Sequence, residues 1–416
     1  MQVTFHGITA GGDGVGRDAN GRTVFAPYAA PGDVAEVAIL EERKTFARGH
    51  ILRLESESPQ RSAPPCPYFV PQNNDESTAC GGCQIQHLSY AAQIDMKRAL
   101  VRDALTHIGK FENPPVEACV PSPQTFAYRN KAEFFVGDDG AIGFHARRTH
   151  KVMDIARCPL LLQPLNDVLA AVRELFGGAK PAKSLEMRVD SRGAVALRVA
   201  WKSDAALDKK TFFAALRERV PSLVDPNQAI LEEEVDGLKF RVGAFDFFQV
   251  NPSLTPGLMA TAMQMAAPQP GQRALDLYCG SGLFGVFLAR AGAVVTGVDG
   301  RGGLDANARL NGLKAKFVRG DAARFLRRAA EQDSEKSARY DLALLDPPRA
   351  GAAQCIEPLA RLRPARIVYV SCDPATLARD LKALAAQGYA LNRVVPHDMF
   401  PQTAHVEIVA LLELQR

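Results

Sequence analysis

What this 416-residue sequence lacks narrows its class before any motif is read. No apolar run approaches the roughly 18 residues that a membrane span needs, and the opening Met-Gln-Val-Thr-Phe-His-Gly has neither the basic segment nor the apolar stretch of an export signal. The expectation is a soluble, cytoplasmic protein with no membrane role. Cysteine is sparse and uneven: eight residues, two of them in a Cys-Gly-Gly-Cys, which is no disulfide framework and suits metal or catalytic use in a reducing compartment. No charge sign dominates, with 50 Lys and Arg against 46 Asp and Glu; the net +4 permits a nucleic-acid partner without demanding one. What is present is ample apolar material, 47% of residues, in a chain long enough for two or three domains.

Residues 1–57 carry short alternating runs (Gly21–Ala26, Asp33–Leu40, Ala47–Leu52) between Gly-rich or Pro-Gly turns, the pattern of a small five-stranded β-barrel. The glycines of Gly11-Gly-Asp-Gly-Val-Gly16 precede no helix, which excludes a dinucleotide loop. Such a barrel can bind RNA across one face, with Phe25, Tyr28, Lys44, Phe46 and Arg48 as candidate contacts. Against this, the segment holds six Lys/Arg and eight Asp/Glu, so any basic patch is local.

A Pro-rich linker opens into Cys66, followed by Cys80-Gly-Gly-Cys83 and, far along, Cys158-Pro159. Four cysteines so arranged can close a metal site, and spacing alone does not choose between zinc and iron–sulfur. Cys119 is a weaker fifth candidate, with no adjoining glycine or proline. A helix is expected from about Tyr90 to Ile108 with Gln93, Lys97, Arg98 and Arg102 on its polar face. The mixed α+β stretch that follows has two basic clusters, Tyr128–Lys131 and His145–Lys151, interleaved with Phe126, Tyr128, Phe134 and Phe144, a combination suited to stacking bases and holding phosphates. An amphipathic helical stretch is read over Ser203–Val220.

From about 240 the rhythm is that of a Rossmann-like α/β sheet. Arg273–Tyr278 is a buried strand, Cys279-Gly-Ser-Gly282 a tight turn, Leu283–Arg290 a helix, and Ala293–Val298 a second strand ending in Asp299. The turn lacks the three-glycine phosphate fingerprint, so a phosphate-free nucleoside such as S-adenosylmethionine fits better than a dinucleotide, with Asp299 placed to accept ribose hydroxyls. Later strands also end in polar groups: Asp321, Asp346 of Asp-Pro-Pro-Arg349, and Ser371-Cys372-Asp373. No aromatic follows Asp-Pro-Pro, which argues against an exocyclic amine as methyl acceptor. Cys372 stands where ligands gather, at a strand's carboxyl end. Glu407 lies between Val406 and Ile408 on the last strand, a costly place for a carboxylate unless it is paired or functional. A thiolate that adds to carbon 6 of uracil makes carbon 5 nucleophilic, and a carboxylate can then remove the carbon 5 proton.

Phe248-Gln-Val-Asn-Pro252, Asp276-Leu-Tyr-Cys-Gly-Ser-Gly282, Asp346-Pro-Pro-Arg349, Ser371-Cys-Asp-Pro374 and Phe400–Glu407 together resemble the RNA (uracil-5-)-methyltransferase family. The resemblance covers nearly the whole chain, since the front barrel resembles a TRAM domain and Cys66, Cys80, Cys83 and Cys158 are similar to that family's ligands to a 4Fe-4S cluster. It implies Cys372 as nucleophile, Glu407 as proton-abstracting base, and Gln249, Tyr278, Leu283, Asp299, Asp321 and Asp346 lining the pocket for S-adenosylmethionine and substrate. Asp299 stands where the family more often has Glu, Leu283 replaces a residue often polar, and 13 residues separate Cys66 from Cys80, several more than usual. The implied architecture is a TRAM-like OB barrel over residues 1–57, a central α+β domain with the iron–sulfur site over 58–240, and a class I methyltransferase domain with a mainly parallel seven-stranded sheet over 241–416. The implied substrate is 23S ribosomal RNA, with tRNA the alternative; a non-catalytic ribosome-assembly factor is the rival from another class. A monomer with no obligate protein partner is expected.

Overall fold

The computed structural model describes residues 1–71, 76–225, 230–331 and 340–415, so part of the long Cys66–Cys80 connection lies outside the described residues. Strands β1 (Gln2–Ile8), β2 (Gly14–Asp18), β3 (Thr23–Ala26), β4 (Val34–Glu42) and β5 (Phe46–Ser56) close into a barrel in the order β1-β2-β3-β5-β4. Alternation decides its inside: Val3, Phe5, Val24, Ala26, Ala35, Val37 and Ala47 are buried as one cluster while their sequence neighbours face out. The glycines at 14 and 16 serve closure, since a Cβ at Gly14 would come 2.5 Å from that of Ala29 and one at Gly16 would come 2.6 Å from the Thr4 carbonyl oxygen.

The chain packs as two compact units. The first comprises residues 1–96, 124–229 and 400–404. Besides the barrel it contains a sheet of β6 (Lys131–Val136), β7 (Ile142–Gly143), β8 (Ala182–Val189) and β9 (Val195–Trp201) in the order β7-β6-β8-β9, covered by α2 (Gln163–Phe176) and α3 (Lys209–Arg219). The expected helix over 203–220 begins only at Lys209, because Asp208 caps it by accepting from the Lys210 and Thr211 amides.

The second unit comprises residues 97–123, 230–399 and 405–416. A hairpin of β10 (Ile230–Val235) and β11 (Leu238–Gly243) precedes a seven-stranded sheet built from β12 (Arg273–Leu277), β13 (Val294–Asp299), β14 (Lys316–Arg319), β15 (Leu342–Leu345), β16 (Arg366–Ser371), β17 (Tyr389–His397) and β18 (Glu407–Leu414). Its order is β14-β13-β12-β15-β16-β18-β17, and only β18 runs against its neighbours. The inner parallel strands β13, β12, β15 and β16 are rich in Leu, Val, Ile and Ala, as burial on both faces requires, whereas the edge strand β14 is partly exposed. The covering helices are α4 (Thr255–Ala266), α5 (Leu283–Arg290), α6 (Leu304–Leu310), α7 (Ala322–Glu331), α8 (Ala353–Leu362) and α9 (Pro374–Ala385).

The helix expected near Tyr90 is α1 (Tyr90–His107), but its face is not as periodicity suggested. Gln93 is buried, with its amide exchanging hydrogen bonds with Gln402: Nε2 donates to the Gln402 side-chain oxygen at 2.9 Å and Oε1 accepts from the Gln402 amide at 3.0 Å. Lys97 is fully buried and ion-paired with Asp398, which is equally buried. Removing either charge would strand the other, at a cost of about 3–5 kcal/mol. Tyr128 and Phe134, read as base-stacking aromatics, are core residues with no exposure, and the Tyr128 hydroxyl donates to the Pro401 carbonyl at 3.1 Å. No helix among the described residues is long and apolar enough to cross a membrane.

Candidate active site

Strand register brings Cys372 and Glu407 to neighbouring positions on two adjacent strands. Ser371 pairs with Ile408 in the antiparallel β16–β18 ladder, so the next residue on one strand, Cys372, lies across from Glu407 on the other. Local chemistry fixes the thiol's place. Asp373 caps α9 by accepting from the Thr376 amide at 2.8 Å, Pro374 occupies the first turn, and the Ser371 hydroxyl accepts from the Asp373 amide at 3.1 Å. Cys372 is thereby held half-buried between a strand end and the amino end of a twelve-residue helix.

The same sheet edge collects acids. Asp276, near the end of β12, is fully buried; its nearest polar neighbour is the Gly285 backbone amide, which favours the ionised form, and a side chain at Gly285 would come 2.7 Å from its Oδ2. Asp299 ends β13, where Oδ2 accepts from the Gly280 amide at 3.1 Å and Oδ1 from the Arg301 amide at 2.7 Å. Asp346 follows β15, its amide donating to the Leu277 carbonyl at 3.3 Å. Burial, with Asp346 and Asp299 nearby, pushes Asp276 well above the usual carboxylate range; burial alone pushes Asp346 up to about 7. Glu407 is likewise raised by burial and by Asp346, against the lowering effect of Arg349. Burial and the neighbouring Glu407 and Asp346 push the Cys372 thiol up to about 11, while Arg349 pulls it down by charge and by hydrogen bonding. Cys372, Asp346, Glu407 and Arg349 therefore form one electrostatic group.

In the first unit, Cys66, Cys80, Cys83 and Cys158 line a single cavity of about 270 Å³. Cys158 is clamped by Asn166, whose Oδ1 accepts from the Cys158 amide at 2.9 Å and whose Nδ2 donates to its carbonyl at 3.1 Å. Burial raises all four thiols, Cys80 to about 12, and neighbouring thiols raise those of Cys80, Cys83 and Cys158 further. Cys119 is not among the lining residues. Among the described residues, no three His, Cys, Asp or Glu side chains are gathered closely enough to hold a single metal ion.

Two family models match: TRAM domain over residues 1–52, and tRNA (Uracil-5-)-methyltransferase over residues 320–415, which includes Asp346, Cys372 and Glu407. The chain is 35% identical to the 23S rRNA (uracil(1939)-C(5))-methyltransferase RlmD of Cronobacter sakazakii, over 99% of this chain and 96% of that protein. The chain belongs to the RNA (uracil-5-)-methyltransferase family. An uncharacterized RNA methyltransferase of Gloeobacter violaceus is 34% identical over 99% of this chain and 96% of its own length. Among solved structures, the tRNA (uracil-54, C5)-methyltransferase of Pyrococcus abyssi, in complex with S-adenosyl-L-homocysteine, superposes with a TM-score of 0.72 at 26% identity, covering 99% of this chain and all of that one.

The other residues expected to line a cofactor pocket have distinct surroundings. Tyr278 takes a left-handed backbone conformation (φ 62°) directly after β12, and its hydroxyl meets the buried Cys355 thiol at 3.1 Å. That pairing gives Cys355 a partner that sequence reading did not find. Leu283 is buried as the first residue of α5, and Gln249 is buried ahead of α4. Asp321 is exposed and caps the start of α7, accepting from the Arg324 amide at 2.8 Å. Arg349 is the member that sequence reasoning undervalued, since Asp-Pro-Pro-Arg was read for the aromatic it lacks. Its only available signal was a lone cation in a motif otherwise at an acidic strand edge.

Proposed function

We propose that this enzyme transfers a methyl group from S-adenosylmethionine to carbon 5 of a specific uridine in 23S ribosomal RNA. The observation that carries the reading is the adjacency of Cys372 and Glu407 across the β16–β18 ladder, within the group that also contains Asp346 and Arg349. The methyl donor supplies an electrophilic methyl carbon. The buried carboxylate of Asp276 and the strand-end Asp299 are the acceptors that suit its ammonium and ribose hydroxyls. Gln249, Tyr278, Leu283, Asp321 and Asp346 complete the proposed pocket.

The protein's own groups account for each proton and electron pair. The Cys372 thiol loses its proton and its sulfur bonds to carbon 6 of the flipped uracil, moving ring electrons toward carbon 5. Asp346, pushed up to about 7, is the neighbouring carboxyl able to take that proton near neutrality, and Arg349 stabilises the thiolate. Carbon 5 then bonds to the methyl carbon as the methyl–sulfonium bond breaks, its electron pair leaving with the donor's sulfur as S-adenosylhomocysteine. Glu407 removes the carbon 5 proton, and the returning electrons break the carbon 6–sulfur bond. Burial makes ionised Glu407 a stronger base than an exposed glutamate, which suits this last step.

The four-thiol cavity fits a 4Fe-4S cluster held by Cys66, Cys80, Cys83 and Cys158. Mutually raised thiols are the donors that a shared multi-iron group stabilises as thiolates.

The ribosomal assignment draws on the two RlmD relatives at 35% identity, from Cronobacter sakazakii and Shewanella amazonensis; the Pyrococcus tRNA enzyme, at 26%, supports the tRNA alternative. Mapping 5-methyluridine in both RNAs from a strain lacking this chain separates them. Loss of one methylated position in 23S RNA is expected, and loss from tRNA alone would overturn the ribosomal assignment.

A further inference from the structure

Helix α9 holds more than Cys372 at its amino end. Thr376, Arg379 and Asp380 stand three and four residues apart and so share one face of the helix. That face meets the loop from Arg349 to Ala352, between β15 and α8. The Thr376 hydroxyl donates to the Arg349 carbonyl at 3.0 Å, the Arg379 guanidinium donates to the Ala350 carbonyl at 2.9 Å, and the Ala352 amide donates to Asp380 Oδ2 at 2.7 Å. Gly351 completes the row. It takes a left-handed backbone (φ 76°), and a side chain there would come 2.6 Å from Asp380 Oδ2, so the loop lies directly on the helix.

Asp380 is the centre of this contact. It is 1% exposed, a place where a carboxylate persists only if its oxygens are satisfied. Tyr369 of β16 donates its hydroxyl to the same Oδ2 at 2.7 Å, and the Tyr369 oxygen lies 3.1 Å from the Ala352 amide. Arg379 Nε donates to Oδ1 at 2.8 Å. Three donors from a loop, a strand and a helix thus converge on one buried acid.

Arg349 needs such support. The residue is exposed, so its side chain is aimed by its backbone rather than by packing. Its guanidinium nonetheless acts on Cys372 by charge and by hydrogen bonding, beside Glu407 of β18 and Asp346 at the start of the same loop. Cys372 is tied to α9 through the Asp373 cap, and Arg349 is tied to α9 through the loop, so one helix sets the spacing of thiol and guanidinium.

We propose that Asp380 is a positioning residue: it clamps the Arg349 loop to the helix whose cap holds Cys372, and so keeps the guanidinium beside the thiol. The proposal deepens the reaction read above and rests on it for the role of Cys372.

The test compares two reagents of nearly equal size on the full chain purified anaerobically: iodoacetate, an anion, and iodoacetamide, which is neutral. Peptide mass mapping gives each rate at Cys372. Their ratio cancels thiolate fraction and accessibility and reports the positive charge beside the sulfur. Arg349→Gln is expected to lower the ratio about fivefold, the factor for a unit charge about 4 Å away in water. Asp380→Asn keeps the volume but turns a donor toward donors already present, and is expected to lower the ratio about threefold as the guanidinium moves away. The two together are expected to lower it no further than Arg349→Gln alone, because a residue that acts through another is not additive with it. If Asp380→Asn melts early, Arg379→Gln serves in its place: that side chain is 46% exposed, and freeing the Ala350 carbonyl is expected to lower the ratio about twofold. An unchanged ratio in folded Asp380→Asn, or in Arg379→Gln where that variant stands in, would overturn the proposal. A double variant with a ratio below that of Arg349→Gln alone would do the same. The assay uses neither methyl donor nor RNA, so it decides the positioning even if the methylation reading fails.

Discussion

Four cysteines around one cavity and a fifth at a sheet edge feel the same push from burial among different neighbours. At the cavity of Cys66, Cys80, Cys83 and Cys158, burial raises every thiol, and at Cys80, Cys83 and Cys158 the nearby charges that raise them further are the other thiols. At the edge of the seven-stranded sheet, burial raises Cys372 as well, but its neighbours are Glu407, Asp346 and Arg349, of which the last lowers it. A thiol ringed by thiols becomes an anion only by sharing a cation with them. A thiol ringed by two carboxyls and a guanidinium becomes an anion by passing a proton a short distance. Burial alone therefore does not say what a cysteine is for; the sign and proton affinity of its neighbours do.

The comparison breaks most sharply under paired substitutions. Cys372→Ala is expected to lower methyl transfer to RNA by at least about 10⁴-fold, as removal of a nucleophile does, with iron content and thermal midpoint unaltered. Cys83→Ser is expected to do the reverse in kind: loss of iron and of the brown colour in anaerobically purified protein. Retained turnover in the first variant would sink the nucleophile assignment. A colourless unmodified protein carrying one zinc per chain would sink the cluster. Next in size is Glu407→Gln, for which turnover falls about 10²- to 10⁴-fold while a denaturation-resistant RNA–protein adduct accumulates, because addition and methylation proceed but elimination stalls. A variant that is slow yet forms no adduct would move the base elsewhere.

How much of this was legible beforehand depended on the distance over which each signal acts. Cys372 could be read because an apolar run stops at Ser-Cys-Asp-Pro, and Glu407 because period-two alternation exposes a misplaced charge; both are local patterns, and the ladder merely brings them opposite. The barrel and the parallel sheet were legible for the same reason. Gln93 and Lys97 were misread as surface residues because their partners, Gln402 and Asp398, lie some three hundred positions away, and no helical period carries that information. Tyr128 was misread likewise, as a base-stacking ring, when its hydroxyl is satisfied by Pro401. Tyr28, a candidate RNA contact, instead packs edge-on to Phe69, 5.3 Å away, under the Arg147 guanidinium, and burial raises its phenol. Arg349 was legible as a residue but not as a role, since its effect on Cys372 arises only when two strand ends are side by side.

The smallest expected effect concerns where the resting proton sits at the sheet edge. Burial lifts Asp346 from an ordinary 3.8 to about 7. Between those two values the folded chain holds a proton that the unfolded chain has released, so this group's contribution to stability falls as pH rises through the window and is constant on either side. The slope is at most about 1.4 kcal/mol per pH unit for one proton. Asparagine mimics the protonated acid and cannot ionise. Asp346→Asn should therefore match the unmodified protein's thermal midpoint within about 2 °C at pH 4 and exceed it by several degrees at pH 8, a few degrees per kcal/mol for a unit of this size, while losing turnover at both. Calorimetric scans at the two pH values decide it. Equal midpoints at pH 8 would show that Asp346 ionises in the folded chain as readily as in the unfolded one, and would leave Glu407 as the acceptor of the thiol proton.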